Sequence, residues 1–201
     1  MCSSYSHIIF PYHTHRSLVG SRSFRCSGES KLREFFAQIF GLSVHQWSIK
    51  LYTLGDSCGK HSLEHLDEVS RLFDQYRVFY NQPSDLNAAT NFLQDRLQDQ
   101  DSTIFIASEG GSVVGFTQLY PSFSSVSMKR VWILNDLFVD APYRKQGIAK
   151  LLMSAAEQFA RETGAIRLVL ATQISNIAAQ ALYESLGYIE DQDFNHYALR
   201  L

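Results

Sequence analysis

Cysteine is scarce in this sequence: its 201 residues include three, Cys2, Cys26 and Cys58, and they lie far apart. An odd, widely spaced set is not the disulfide framework of a small secreted domain, and no secretory apolar segment precedes it. The set fits reduced thiols instead, which predicts a cytoplasmic protein. All three also precede the motifs of the second half of the chain, so cysteine catalysis is not expected.

An excess of charge of one sign is lacking as well: 18 lysines and arginines stand against 20 aspartates and glutamates, a net charge of −2. Nucleic-acid-binding domains usually carry a basic excess or a basic face, so no nucleic-acid partner is expected. Long apolar runs are also missing, because stretches such as "VWIL" (131–134) are far shorter than the roughly 20 residues that cross a bilayer. We therefore expect a globular protein with no membrane span.

Residues 1–45 lack the patterning of the rest of the chain. They are rich in Ser, His and Arg, contain no acidic residue before Glu29 and show no sustained period. We expect a flexible extension outside the folded core, although a basic, serine-rich start also has the composition of an organellar transit peptide. The folded domain is predicted at 46–201, long enough for one sizeable core.

Hydrophobic periodicity and turn residues predict alternating strands and helices over the folded part. In chain order these are a strand at 47–54, helices at 63–80 and 85–98, strands at 102–108, 112–120 and 130–139, a helix ending near Thr163, a strand at 167–172, a helix at 176–186 and a final strand at 196–201. Gly110 and Gly111 supply a hairpin turn, and Gly164 suits the left-handed position after a helix. The order predicts one mixed α/β domain.

The segment "RKQGIA" places a basic residue and two small ones between a strand and a helix. Arg144, Gly147 and Ala149 follow the spacing Arg-x-x-Gly-x-Ala, with Lys145 and Lys150 nearby. A helix N-terminus offers unpaired N–H groups and a positive dipole end, so a diphosphate fits there, and small side chains let it approach the backbone. Taken alone, the segment also fits an ordinary turn with solvated basic residues. It matches neither the nucleoside-triphosphate loop nor the dinucleotide fingerprint.

A second motif follows in the predicted helix at 176–186 and the turn after it. Its residues follow the pattern Asn-x-x-Ala-x-x-Leu-Tyr-x-x-x-Gly-Tyr, at Asn176, Ala179, Leu182, Tyr183, Gly187 and Tyr188. With "LNDLFVDAPYRKQGIAKLLM" before it, the region 47–201 resembles the GNAT superfamily of N-acetyltransferases. The resemblance implies a GNAT fold: a mixed central sheet of about six to seven strands flanked by about four helices. It also implies acetyl-CoA as co-substrate and no metal.

The resemblance implies a set of coenzyme-binding residues. The backbone of Leu137, Phe138 and Val139 would hold the pantetheine arm, and the amides and basic groups of the loop would hold the diphosphate. Asn176 would contact the arm besides capping its helix. The full expected set is Leu137, Phe138, Val139, Arg144, Lys145, Gln146, Gly147, Ile148, Ala149, Lys150, Asn176, Ala179 and Tyr183.

The resemblance also implies a direct transfer with an acid and a base. A phenol with a pKa of about 10 stays protonated at neutral pH, so Tyr183 would give a proton to the departing thiolate. Asp136 is one candidate base for the amine, Glu109 at the hairpin is a more peripheral one, and ordered water leading to a distant carboxylate or histidine is a third route. The Leu137 amide would meet the charge on the carbonyl oxygen.

The acceptor amine is not identified by the sequence: a small molecule, a peptide N-terminus or a lysine all fit. In this fold the first two helices and the loop after the third strand line the acceptor site, and here they carry Tyr76, Phe79, Tyr80, Phe123 and Trp132. Aromatic rings bind cationic amines, yet they also form cores. Dimers are frequent in the family, so a homodimer is compatible with the resemblance.

Two other functions compete with the transferase. The segment "HSLEH" (61–65) matches a metallopeptidase pattern, but apolar residues interrupt it and it lies at a predicted helix start, so a zinc site is not expected. The second is a catalytically silent acyl-CoA-binding module of the same fold. Retention of Tyr183 and of the intact "RKQGIA" loop favours the enzyme.

Overall fold

The structure is a computed structural model that describes residues 47–52 and 65–201. The predicted extension at 1–45 and most of the "HSLEH" pattern lie outside the described residues. The strands are β1 (Trp47–Tyr52), β2 (Thr103–Glu109), β3 (Ser112–Ser124), β4 (Lys129–Val139) and β5 (Arg167–Leu170). The helices are α1 (Leu66–Phe79), α2 (Leu86–Asp99), α3 (Ile148–Glu162) and α4 (Ile177–Ser185), with a short 3-10 helix at Ala141–Tyr143.

The strands form one sheet in the order β1-β2-β3-β4-β5, and the first three pairs are antiparallel. The predicted mixed α/β class is confirmed, but the count of six to seven strands is not, because the described residues form five. The chain divides into two compact units, one ending at Val169 and one spanning Leu170–Leu201. No helix in the described ranges is long and apolar enough to cross a membrane.

The final strand predicted at 196–201 is absent from the structure. The alternation of Tyr197, Leu199 and Leu201 is present in the sequence, but all three are exposed and the segment has no regular secondary structure. A strand forms only with a hydrogen-bonded neighbour, so alternation alone does not produce one. The strand expected to be buried at 167–172 is also different, because β5 alternates between exposed and half-buried residues.

Helices cover both faces of the sheet formed by the first unit. On one face α1 and α2 bury apolar residues at helical spacing, among them Leu72 and Leu93, against Ile106 and Phe116 of the sheet. On the other face Phe159 of α3 packs against two aromatic residues of the sheet, with ring centroids 5.5 Å from Phe105 and 5.0 Å from Trp132. The two faces therefore have separate sets of packed side chains.

The pairing of β3 with β4 is interrupted by one extra residue. Gln118 pairs with Asp136 but Leu119 pairs with Leu134, so Asn135 is left over as a β-bulge. A one-residue insertion reverses the alternation of faces along a strand. As a result, Asp136 and Phe138 share the face covered by α1, whereas Trp132 lies on the α3 face.

The turn predictions are confirmed at three glycines. Gly110 and Gly111 have φ of 57° and 92° in the β2–β3 hairpin. Gly164 has φ 71° after α3, and the next amide, of Ala165, donates to the carbonyl of Ala160 at 2.9 Å. A hydrogen bond of this kind is typical of helices that end in a left-handed glycine.

Gly115 of β3 generates a stability prediction that the sequence did not suggest. A Cβ there would lie 3.0 Å from the Phe138 carbonyl oxygen, 3.3 Å from a Val139 methyl and 3.4 Å from an Ile148 methyl. We expect Gly115→Ala to lower the free energy of unfolding by about 1–3 kcal/mol, because the added carbon forces β4 and α3 to move. Urea unfolding followed by circular dichroism measures it.

The matched control for Gly115→Ala is Ser112→Ala in the same strand, at an exposed position. It should change the free energy of unfolding by no more than about 0.5 kcal/mol. Equal effects of the two substitutions would contradict the close approach of β3, β4 and α3 at Gly115.

Candidate functional site

The loop between β4 and α3 leaves the N-terminus of α3 open. Gly147 is the N-cap residue with φ 85°, it has no side chain to cap the helix, and no acidic residue lies in the first turn. Lys145 also has a positive φ, 60°, close to a residue of extended backbone, Arg144. The unpaired N–H groups of the first helical turn point out of this end of α3, and the helix dipole adds positive potential there. The loop is built to attract an anion.

Position 147 favours glycine because of its backbone conformation and not because neighbouring atoms crowd it. A Cβ built on it would meet nothing within 4 Å, so the space beside this amide is open. Ile148 is buried in the core and fixes the first residue of α3, while Ala149 is half-buried and Lys150 is exposed. A phosphate needs open space next to amides, and the loop supplies it.

Arg144 is held across the end of β4. Its Nε donates to the Val139 carbonyl at 2.9 Å, and its guanidinium carbon lies 5.3 Å from the Phe138 ring centroid. Neither contact uses the two terminal amino groups. The Val139 carbonyl expected to hold the coenzyme arm therefore already accepts one hydrogen bond, although a carbonyl oxygen has a second lone pair.

Contacts that the sequence analysis missed fix the loop. Asp140 caps the 3-10 helix by accepting from the Ala141 amide at 2.8 Å, and its own amide donates to the Val114 carbonyl at 2.9 Å. Its carboxylate also accepts from Arg71 of α1 at 3.1 Å. Aspartate before Ala-Pro is a recognisable cap signal, but nothing in the sequence links it to Arg71, 69 positions away.

Asp136 is a buried carboxyl group just before the loop. It is 4% exposed, and burial raises its pKa from the ordinary 3.8 to about 6, even though hydrogen bonds from Asn135 and Tyr76 lower it. The amide nitrogen of Asn135 donates to the carboxyl at 3.1 Å. A group with a pKa near 6 is mostly ionised at neutral pH yet basic enough to take a proton, as a general base requires.

Glu109, the other predicted base, lies far from Asp136. It pairs with Ser112 at one end of β3, whereas Asp136 pairs with Gln118 six positions along that strand. At about 3.3 Å per residue the two backbone positions are on the order of 20 Å apart along the sheet. The structure does not bring them to one site.

The second unit contains α4 and the second motif. Asn176 caps this helix by accepting from the Ala179 amide at 3.3 Å, which confirms its predicted capping role. After the helix, Gly187 has φ 85°, and the Tyr188 amide donates back to the Tyr183 carbonyl at 3.0 Å. The rings of Tyr183 and Tyr188 are half-buried, with centroids 6.1 Å apart. This is a Schellman ending with its usual apolar contact, and it fixes Tyr183.

The aromatic residues predicted for the acceptor separate into two groups. Tyr80 contacts both Tyr76 and Phe79, with centroids 5.0 Å and 5.1 Å apart. On the other face Trp132 is 5% exposed and donates from Nε1 to the Thr163 hydroxyl at 2.8 Å, which makes it a core residue. Phe123 is 68% exposed and lies under the Arg130 guanidinium, as Trp132 does. The prediction of Trp132 as an acceptor residue is corrected accordingly.

A metal site receives no support in the described part of the chain. No group of three or more His, Cys, Asp or Glu residues there could hold a metal ion. Of the "HSLEH" pattern, His65 is described, and its Nδ1 lies 2.9 Å from a carboxylate oxygen of Glu68. Glu68 in turn accepts from the Val113 amide at 2.7 Å, so this pair joins the start of α1 to β3.

Comparison with known proteins agrees with the geometry. A model of the acetyltransferase (GNAT) family matches residues 66–188. An uncharacterized N-acetyltransferase of Bacillus subtilis (strain 168), YhfO, is 52% identical over 133 residues, which cover 66% of this chain and 89% of the relative. A solved structure of a probable acetyltransferase is 44% identical with a TM-score of 0.68, covering 77% of this chain and 97% of that one.

A more distant structure shares the fold alone. The aminoglycoside N-acetyltransferase AAC(6')-Iy, solved with CoA, is 22% identical with a TM-score of 0.61, covering 77% of this chain and 95% of that one. The relatives are transferases, so the alternative of a catalytically silent module is not favoured. The match over residues 66–188 and the close relative lead to one conclusion: the chain is an acyltransferase and belongs to the GNAT family of acetyltransferases.

Proposed function

We propose that this enzyme transfers the acetyl group of acetyl-CoA directly to a primary amine of a small molecule or a peptide. The amine nitrogen attacks the thioester carbon, an amide bond forms, the carbon–sulfur bond breaks and the thiolate leaves as CoA after taking up a proton. The observation that carries this proposal is the open N-terminus of α3 behind the Arg144–Gly147 loop, which follows the strand that carries the buried Asp136 carboxyl group.

The donor side of the reaction rests on the loop. The amides of 145–149 bind the diphosphate, and Arg144 adds its terminal amino groups, since its other contacts leave them available. The backbone of Leu137 and Val139 holds the pantetheine arm, and the Leu137 amide meets the negative charge that develops on the thioester oxygen. Binding through backbone groups explains why the side chains here are ordinary strand residues. Asn176 and Ala179 complete the proposed set.

The proton transfers are divided between two residues. Asp136 takes the proton of the attacking amine, because an amine with a pKa near 10 arrives mostly protonated at neutral pH. Tyr183 gives a proton to the departing thiolate, since its phenol remains protonated under the same conditions. The Schellman turn at Gly187 supports this role, because it ties the backbone and the ring of Tyr183 to Tyr188.

The first test is acetyl transfer itself, measured as thiol release from acetyl-CoA in the presence of a panel of small amines and short peptides. Tyr183→Phe should lower turnover by about a hundredfold or more, the range for loss of a general acid, with the dissociation constant of CoA nearly unchanged. Calorimetry with CoA measures the second quantity.

Tyr188→Phe is the matched control for Tyr183→Phe, because it removes a hydroxyl from the neighbouring ring and should leave turnover within a few-fold of the parent, about 1 kcal/mol or less. If Tyr183→Phe keeps the turnover of the parent, Tyr183 is not the general acid. No thiol release on any amine, together with no heat on adding CoA, would overturn the proposed function as a whole.

The phosphate loop is tested with two glycines at opposite ends of α3. Gly147 and Gly164 both have positive φ, 85° and 71°, and open space where a Cβ would lie. Gly147→Val and Gly164→Val should therefore each lower the free energy of unfolding by about 1–2 kcal/mol. Gly147→Val alone should also weaken CoA binding by about tenfold or more, since a side chain then occupies the space beside the amides. Equal CoA affinity in the two variants would count against the loop.

Because Asp136 is buried, we expect its ionisation to lower the stability of the folded protein at neutral pH. Its pKa is about 6 when folded and 3.8 as the ordinary value, so between these pH values the folded protein holds more protons. Stability from this group is therefore full below pH 3.8 and falls as pH rises through 6. Asp136→Asn removes the titration, so its stability relative to the parent should rise by about 2 kcal/mol from pH 4 to pH 8.

Chemical unfolding of both proteins across this pH range measures the difference at Asp136. The comparison uses the change with pH and not the absolute offset, because an amide also alters the local hydrogen bonds. An offset that stays constant from pH 4 to pH 8 would show that Asp136 titrates at its ordinary pKa and is a poor base.

A further inference from the structure

The hydroxyl of Tyr76 lies at the bulge of β4. Tyr76 is on α1, and its hydroxyl donates to the Asn135 carbonyl at 3.3 Å, across 59 positions of the chain. The same hydroxyl lowers the pKa of the Asp136 carboxyl group, against the effect of burial. It therefore lies at two consecutive residues of β4, the extra residue of the bulge, whose carbonyl accepts its proton, and the buried carboxyl that follows.

The ring of Tyr76 is held in place by other aromatic rings. Its centroid lies 5.0 Å from that of Tyr80, and 6.3 Å from those of Phe73, Phe116 and Phe138. These contacts come from α1, from β3, from β4 and from the residue just after α1. Edge and tilted contacts of this kind fix the ring plane, so the position of the hydroxyl is determined by packing.

Two groups act on the Asp136 carboxyl: Tyr76 of α1, and Asn135, its neighbour on β4, which donates to it at 3.1 Å. Gln118 is the register partner of Asp136 on β3, and its amide nitrogen donates to the Ser102 hydroxyl at 2.8 Å. No charged side chain is among the causes of the raised Asp136 pKa, so the hydroxyl of Tyr76 and the amide of Asn135 orient the carboxylate.

We propose that Tyr76 is a positioning residue for Asp136: its hydroxyl fixes the bulge and orients the buried carboxylate to accept the proton of the acceptor amine. The proposal rests on the proposed function, in which Asp136 is the base. The proposal also changes the expected role of Tyr76, because this residue then acts through the Asp136 carboxylate and does not line the acceptor site. The sequence alone does not show this role, because Asp136 faces α1 as a result of the bulge at Asn135.

Removal of the hydroxyl should make Asp136 harder to ionise. A hydrogen bond from the hydroxyl stabilises the ionised carboxylate more than the neutral acid. Losing that bond in a buried site therefore raises the pKa of the carboxyl. With Tyr76→Phe we expect the Asp136 titration midpoint to move upward by about one pH unit, a tenfold change in the protonation equilibrium. The phenyl ring keeps the aromatic contacts, so the fold is retained.

Direct titration tests this without any activity. Carboxyl carbon signals of the full chain are followed by NMR between pH 4 and pH 8, and Asp136→Asn identifies the Asp136 signal by its disappearance. Tyr80→Phe is the matched control, a hydroxyl removed from the adjoining ring, and its Asp136 midpoint should equal that of the parent. An equal midpoint in Tyr76→Phe and the parent would overturn the proposal, whether or not the acceptor amine is known.

Kinetics give the second readout once an acceptor amine is found. The acidic limb of the kcat/KM profile reports the base of the free enzyme, so Tyr76→Phe should lose about fivefold in kcat/KM at pH 6 and less than about twofold at pH 8. A loss equal at both pH values would assign Tyr76 to the acceptor wall and overturn the positioning role. The NMR midpoint is measured without turnover. The two experiments therefore distinguish a failure of the proposed transferase activity from a failure of the positioning role.

Discussion

The pairing of β4 with β3 around one extra residue is the constraint on which the site depends. In a regular ladder, with Asn135 paired in its turn, the alternation along β4 would place Asp136 on the face of α3, away from Tyr76. With it, the strand has its apolar residues packed on both sides and still presents a carboxyl group under α1. The strand ends at Val139, and Asp140 then caps the 3-10 helix at the start of the loop that leads to the uncapped N-terminus of α3.

Local signals in the sequence predicted part of the site. Helix α1 followed from its apolar spacing, and the open N-terminus of α3 followed from Gly147, because both signals are local. Trp132 was assigned to the acceptor site from the resemblance, and the structure buries it instead against α3. Strict alternation would put Trp132 on the same face as Asp136, and the extra residue between them reverses that result. The two polar residues "ND" within an apolar strand were the available signal for a bulge.

Other features could not be predicted because they join distant parts of the chain. Arg71 meets Asp140, and Glu68 meets the Val113 amide, through tertiary packing that no local pattern encodes. Gly115 reads as an ordinary glycine in a strand until β4 and α3 are placed against it. The final strand at 196–201 was predicted from alternation, which describes one face of a strand but not its hydrogen-bonded neighbour.

The contact between Arg71 and Asp140 has a consequence for how the enzyme responds to its solvent. The Arg71 side chain is 46% exposed, so dissolved ions screen this pair. Asp140 carries its negative charge at the start of a loop that attracts anions, and Arg71 compensates that charge. As ionic strength rises, the compensation weakens together with the attraction of the loop itself. Salt screens Arg71, Asp140 and the basic groups of the loop together, so the proposed anionic donor should be captured best in dilute buffer.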